Sequence, residues 1–338
     1  MCHDAYMYRT FAYQQVDVFA PTAFNGNGLG VVFEANHLDS TQMQRFAQWL
    51  NLSETVFFVT PTEPEADYAI RIFTPTTELP FAGHPTLGAA HAWLESGGQA
   101  GTNGHLLQQC DAGLIQVRIE RDASEKHERR LAFLAPPLTR SGPLEQDVLQ
   151  WAIAGLGINS EDVIAHQWLV NGPHHAGLLL RDADLVLGIE PDYAALDGLE
   201  LGVIGPYTAS SVAQGVWQPQ ATLLPRISGT REELRPLDYS DQTRSEERFG
   251  SVVLQPPADF EVRAFVSGEA IQEDPATGSL NAGFGVWMTK AGLAPQRYTV
   301  RQGTRVGREA ILHIEASESG LWVSGDVTTR IEGTVTFD

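Results

Sequence analysis

Residues Phe73–Leu94 read FTPTTELPFAGHPTLGAAHAWL, and this stretch decides the fold. It joins a strand end, a polar turn and a helix opened by the step Gly83-His84-Pro85. Pro85 suits the first helical position, because its missing N–H would have no partner there and its fixed φ fits the entry. The helix predicted from Thr86 to about Leu94 carries Leu87, Ala89, Ala90, Ala92, Trp93 and Leu94 around nearly its whole circumference. A helix that is apolar all round is buried rather than laid on a surface. Its N-terminus then points backbone N–H groups and a partial positive charge inward beside His84, a good place to hold an anion.

The arrangement recurs. Arg71-Ile72-Phe73 leads to Gly83-His84-Pro85-Thr86, and Arg263-Ala264-Phe265 leads to Asp274-Pro275-Ala276-Thr277-Gly278-Ser279. Each copy runs from an Arg-x-Phe strand through a loop containing Glu78 or Glu269, to an acid-base residue and a proline. Each then enters a helix of small and apolar residues with a tryptophan, Trp93 or Trp287. An internal repeat of this kind predicts two like domains with two buried helices, and places the function where their N-termini face each other.

Composition bounds the partners. A chain of 338 residues suits two domains with sizeable cores. With 22 basic against 42 acidic residues the net charge is −20, which disfavours nucleic acid and anionic membrane surfaces as partners. A small anionic substrate must then be held by local features such as helix ends. The two cysteines, Cys2 and Cys110, give neither a disulfide framework nor a metal-ligand spacing. The N-terminus lacks a basic region followed by an apolar run, and no stretch of about 18 uncharged apolar residues occurs, so a soluble cytoplasmic protein is expected.

Along the chain, Phe11–Phe19 and Gly30–Glu34 read as strands around the turn-rich Ala20–Leu29. The cluster Asn25-Gly26-Asn27-Gly28-Leu29-Gly30 lacks the spacing of a phosphate cradle and is read as a loop needing positive φ. Asp39 to about Leu50 is a helix with a capping-box start, Asp39…Gln42, and a stripe of Met43, Phe46, Ala47 and Leu50. Leu52-Ser53-Glu54-Thr55 enters an apolar strand, Val56–Val59, so Glu54 sits at a strand mouth between apolar neighbours. Such a carboxyl is either an exposed edge group or an acid-base catalyst tuned by its walls. Ala69–Phe73 and Leu114–Glu120 are further strands, and the charged turn Arg121–Arg130 marks the crossover into the second half. Then come a helix at Val148–Leu156, a strand at Ala176–Arg181, an irregular segment Gln218–Phe249, and strands Ser251–Leu254 and Phe260–Val266. A helix from Asp274 to about Lys290 and three short strands finish an α+β chain, mostly sheet around two helices.

The proton-handling candidates are Glu54, His84 and Asp274. Metal binding finds no support: His84 and His91 are seven apart, and His174-His175 on a strand face opposite ways. No Gly-x-Ser-x-Gly elbow supports a serine hydrolase, and Ser279 in a helix's first turn suits hydrogen-bond donation better than attack.

Leu52-Ser53-Glu54-Thr55, the run from Phe73-Thr74-Pro75 through Glu78-Leu79-Pro80-Phe81-Ala82-Gly83-His84-Pro85-Thr86-Leu87-Gly88, and Glu273-Asp274-Pro275-Ala276-Thr277-Gly278-Ser279 resemble the phenazine-biosynthesis isomerase (PhzF-like) family. Val16-Asp17-Val18-Phe19…Gly26-Asn27 and Gln302-Gly303…Gly307-Arg308 extend the resemblance over nearly the whole chain. It implies the diaminopimelate-epimerase-like fold: two similar domains, each a curled, mostly antiparallel sheet around a central helix, with the site between them. The expected division is 1–128, completed by 329–338, and 129–328. By motif, the resemblance makes Glu54 the general acid/base and His84 and Asp274 its catalytic partners. Ser279, Gly83, Thr277 and Gly278 become the substrate-binding groups. No cofactor, no metal and a homodimer are implied as well. Racemases of the wider fold use one cysteine at each helix start, and neither start here has one. The expected activity is therefore a cofactor-independent isomerisation of a small, cyclic or unsaturated carboxylate. An epimerase on the same fold and a non-catalytic metabolite binder are the alternatives.

Overall fold

A computed structural model describes residues 8–101, 104–123, 128–207, 258–266 and 272–338, all within one compact unit. The first half contributes strands β1 (Arg9–Val18), β2 (Asn27–Val32), β3 (Glu54–Val59), β4 (Tyr68–Phe73), β5 (Glu78–Leu79), β6 (His105–Cys110), β7 (Gly113–Ala123) and β8 (Glu128–Leu134). The second contributes β9 (Val163–Val170), β10 (His174–Leu180), β11 (Leu201–Pro206), β12 (Phe260–Phe265), β13 (Glu273–Asp274), β14 (Arg297–Gln302), β15 (Ala310–Ser317) and β16 (Gly320–Phe337). The α-helices are α1 (Ser40–Leu50), α2 (Gly83–Glu95), α3 (Gln146–Leu156), α4 (Ala183–Gly188) and α5 (Gly278–Lys290).

The repeat appears strand for strand. β2 pairs with β3 in parallel and β4 with β6 in parallel, just as β10 pairs with β11 and β12 with β14. The antiparallel pairs β3–β4, β4–β5 and β6–β7 match β11–β12, β12–β13 and β14–β15. The first half closes on itself, because β16 pairs with both β8 and β1. The strands β1, β2, β3, β4, β6, β7, β8 and β16 thus form a ring around α2. The second half packs β9, β15 and β16 against α5.

Both central helices are buried as their composition requires. Every residue of α2 from Gly83 to Ala92 is buried, as is every residue of α5 from Gly278 to Gly285. The capping box at Asp39 and Gln42 is present, and Met43, Phe46 and Ala47 bury the α1 stripe. The start of α2 differs from expectation. Ala82 is its N-cap and Pro85 stands third, where a missing N–H is still harmless because the first i→i−4 bond is made by Thr86 to Ala82.

The register corrects the repeat in detail. Glu78 lies opposite Phe73 and Glu273 opposite Phe265, so Glu273 rather than Glu269 is the counterpart of Glu78; Glu269 lies outside the described residues. Chemistry agrees with register. Arg71 pairs with Glu78 at 2.6 Å and its guanidinium lies over Phe73, and Arg263 pairs with Glu273 at 2.7 Å and lies over Phe265. It follows that Asp274 matches Leu79, Pro275 matches Pro80, and Ser279, not Asp274, matches His84. The helix expected from Asp274 begins at Gly278 with Thr277 as its N-cap, and Asp274 lies ahead of it in β13.

Other differences have local causes. Much of the charged Arg121–Arg130 stretch is strand, with Arg121 opposite Arg130, because Arg130 finds Asp326 across the sheet at 2.8 Å. Glycines 26, 28 and 30 do not have positive φ; Phe19 (64°) and Phe24 (67°) do. Gly26 is needed because a Cβ there would lie 2.1 Å from the Val18 carbonyl oxygen. The last strand is long rather than short, as it serves both halves. The segment Gln218–Phe249 and the strand expected at Ser251–Leu254 lie outside the described residues.

Candidate active site

Alternation along β2 and β3 sends two polar side chains to the start of α2. Leu29 and Val31 of β2, and Val56 and Phe58 of β3, belong to the core around α2, whereas Val32 and Phe57 pack with α1 residues. Asn27 and Glu54 share the inward faces at period two. There they meet His84. Glu54 Oε2 lies 3.4 Å from His84 Nε2, and Asn27 Nδ2 lies 3.4 Å from His84 Nδ1.

The start of α5 closes against the same point. A Cβ on Gly83 would stand 2.8 Å from Gly278 Cα, so the two helix starts touch through glycine. Asp274 is the polar hub beside them. Its Oδ1 accepts from Asn27 Nδ2 and Ser53 Oγ, both at 2.9 Å, and its Oδ2 accepts from Thr277 Oγ1 at 2.5 Å. Gln302 Nε2 donates to the Asp274 carbonyl, and Gln302 Oε1 accepts from the Thr277 N–H and from Asn281. Asn171 Nδ2 donates to the Ser279 carbonyl at 2.9 Å.

Burial sets the protonation. His84 is 2% exposed, and loss of solvent pulls its pKa down to about 3, so the ring is neutral near pH 7. The 3.4 Å approach to Glu54 is therefore not an ion pair at that pH. Burial pushes the Asp274 carboxyl above its usual range, against the opposing hydrogen bonds from Thr277, Ser53 and Asn27.

A cavity of about 110 Å³ opens onto this group, lined among others by Ser53, Glu54, His175, Asp274, Thr277 and Ser279. Pockets for drug-sized ligands run roughly 300–1,000 Å³, so this one suits a small molecule. A larger depression of about 980 Å³ over β1, the end of β3 and Trp93 is lined by none of the acid-base candidates. Glu54, His84, Asp274, Ser279, Gly83, Thr277 and Gly278 are thus brought to one place. Cys110 ends β6, buried with its thiol 3.6 Å from the Gly113 carbonyl and pushed up in pKa by burial; it does not line the cavity. Cys2 lies outside the described residues. Among the described residues, no three His, Cys, Asp or Glu side chains cluster as metal ligands do, and no helix is long and apolar enough to cross a membrane.

The family model for phenazine biosynthesis-like proteins (PhzC-PhzF) matches residues 16–219 and 242–336. The chain belongs to the PhzC-PhzF family. A relative from Pasteurella multocida, named an uncharacterized isomerase, is 30% identical over 95% of this chain and 92% of its own. Antisense-enhancing sequence 1 of Schizosaccharomyces pombe is 29% identical over 95% of this chain and 97% of its own. A trans-2,3-dihydro-3-hydroxyanthranilate isomerase from Pseudomonas chlororaphis is 36% identical, over 54% of this chain and 62% of its own. With such relatives this PhzC-PhzF chain is an isomerase. The fold is shared with a predicted epimerase from Pseudomonas aeruginosa (TM-score 0.68, 21% identity, 96% of this chain and 99% of that one). It is also shared with a probable proline racemase from Agrobacterium radiobacter (TM-score 0.56, 11% identity, 97% and 93%).

Sequence reasoning passed over several residues of this PhzC-PhzF site. Asn27 was legible only as part of a glycine-rich loop, although its alternation with Leu29 and Val31 placed it on the core face. Ser53 stood next to Glu54 without a reason to single it out. Asn171, in the turn after β9, and His175 of β10 reach the site from a distant hairpin that nothing local in their sequence announces, and the family motif that contains Gln302 gave it no role.

Proposed function

We propose that the chain is a cofactor-independent isomerase of a small, cyclic or unsaturated carboxylate, in which Glu54 moves a proton between two carbons. The observation that carries this reading is the Glu54 carboxyl beside a neutral His84, in a cavity built where two helix N-termini meet. Glu54 as carboxylate takes a proton from an activated C–H, and the released electron pair delocalises into the substrate's unsaturated system. Glu54 then returns the proton to another carbon, and the double bond has moved with no net gain or loss of electrons. The positive ends of α2 and α5, through the Gly83, Thr277 and Gly278 region, and the Ser279 hydroxyl bind the carboxylate and the charge that develops. Asp274, held by three side chains, orients Asn27, Ser53 and Thr277 around the reacting atoms. His84 serves as the neutral hydrogen-bonding partner of Glu54. In this reading the cleft lies between two domains, 1–128 with 329–338 and 129–328, and the chain works as the homodimer its resemblance implies.

A two-thiol racemase finds no support, since inversion needs a base on each face and Cys110 is away from the cavity. A pure binder has no need of Glu54 and His84 together. The test is turnover of trans-2,3-dihydro-3-hydroxyanthranilate, the compound named for the Pseudomonas chlororaphis relative, and of other cyclic hydroxy-amino acids, in deuterium oxide. The expected outcome is deuterium on a ring carbon with the wild type, and a rate lower by on the order of 10²–10⁴ with Glu54→Gln, which keeps size but cannot carry the proton. Near-normal turnover in that variant would remove Glu54 from the mechanism.

A further inference from the structure

Several polar side chains of the cavity take no part in the chemistry above, and one of them is a buried histidine. His175, the second residue of β10, is 4% exposed and lines the cavity, and its Nδ1 is buried with no hydrogen-bond partner. Buried polar atoms are nearly always paired, so an unpaired imidazole nitrogen at a cavity wall asks for a ligand. Its direction follows from strand alternation. A Cβ on Gly177, two residues on, would stand 3.1 Å from the Phe284 ring of α5, so this face of β10 turns toward α5. The hairpin that carries His175 is pinned at its tip, where Asn171 donates to the Ser279 carbonyl. The ring is therefore held at a fixed place relative to the start of α5.

The surroundings say what His175 can bind. Glu200 lines the same cavity, with its Oε2 accepting from the His174 N–H at 2.8 Å, so its carboxylate is fixed there. Burial, and then neighbouring His174, hold the pKa of His175 down to about 4, which leaves a neutral ring with an acceptor nitrogen to offer. Pro75, Leu79 and Pro173 supply apolar walls. A neutral imidazole beside a carboxylate repels a second anion and accepts from an amino or hydroxyl group.

We propose that His175, with Glu200 beside it, is a specificity-determining residue that binds an amino or hydroxyl substituent on the ring of a cyclic carboxylate substrate. The inference rests on the carboxylate-isomerase reading above and adds the element that selects among such acids.

Binding of benzoate, 2-aminobenzoate and 3-hydroxybenzoate, followed by calorimetry, tests it without turnover. The wild type is expected to bind at least one substituted acid about 5–20-fold more tightly than benzoate, the usual worth of a buried hydrogen bond to a group otherwise left unpaired. In His175→Leu that preference should fall to within about twofold of none, while benzoate affinity stays within about threefold of wild type. His175→Gln, which keeps an acceptor, should restore part of the preference, a rescue that a purely structural role would not give. An unchanged preference in a folded His175→Leu protein, or none in the wild type that binds benzoate, would overturn this inference and leave the isomerase reading intact. Failure of all three acids to bind both the wild type and Glu54→Gln would instead reject the cavity as a carboxylate site, and this inference with it.

Discussion

His84 carries a proton balance that differs between the folded and unfolded chain. Its folded pKa of about 3 lies below the ordinary value of 6.5, so between those limits the unfolded chain binds more protons. Stability then rises with pH across that window: it is complete above about 6.5 and is lost as pH falls toward 3. At pH 5 the penalty from this one group is about 2 kcal/mol. His84→Asn removes the titration while keeping a hydrogen-bonding side chain. Urea unfolding at pH 7.5 and 5.0 should show the variant losing about 2 kcal/mol less than wild type between the two. An equal loss in both proteins would mean that His84 is not held neutral by burial. At this scale the sequence was informative for Glu54, which stands between apolar neighbours, and for His84, beside a proline at a buried helix. It began the second helix too early, at Asp274: the helix starts at Gly278 with Thr277 as its cap, and Asp274 stands ahead of it in β13, where it gathers hydrogen bonds.

The two central helices were legible as elements because their composition leaves no polar face, and burial on every side follows from that. That their starts face each other was expected from the repeat, but the closeness of the contact was not, since it depends on glycines that read as ordinary helix-start residues. Gly83 and Gly278 are required because each Cβ would stand under 3 Å from the other's Cα. Two positive helix ends brought this close repel each other, and an anion between them relieves the repulsion. Gly83→Ala would also press on Phe133 Cζ at 2.8 Å. Overpacking of this kind costs about 1–3 kcal/mol. The matched control is Gly188→Ala at the end of α4, where a Cβ meets nothing within 4 Å and helix propensity favours alanine. Denaturant midpoints should fall for Gly83→Ala and hold or rise for Gly188→Ala. A Gly83→Ala protein as stable as wild type would mean that the helix starts are free to separate.

At the scale of the whole molecule the two halves share one strand, and that sharing could not be read from the repeat alone. The pattern Arg-x-Phe, acid, proline, helix announces two copies, and the register pairs them residue by residue through Glu78 and Glu273. It says nothing of how the copies join, because the join is a departure from the repeat. β16 runs from its pairing with β15 and β8 into the ladder from Gln15↔Ile331 to Arg9↔Phe337 along β1. That last stretch closes the ring around α2 and sets Phe337 against Phe11 and Phe46, with ring centroids 5.4 and 5.2 Å apart. Deleting residues 330–338 therefore leaves β1 as an open edge and strips the aromatic contact. The lost ladder, at about 0.5–1.5 kcal/mol net per hydrogen bond, should lower the unfolding free energy by at least roughly 3 kcal/mol. Because β16 also anchors β15, and through it the sheet around α5, the damage should not stay in one half. Full-length protein is expected to unfold in one urea transition seen alike by circular dichroism and tryptophan fluorescence, and the truncated chain in one transition at lower urea. Two separated transitions in the full-length protein would show that the halves fold independently and that β16 does not couple them.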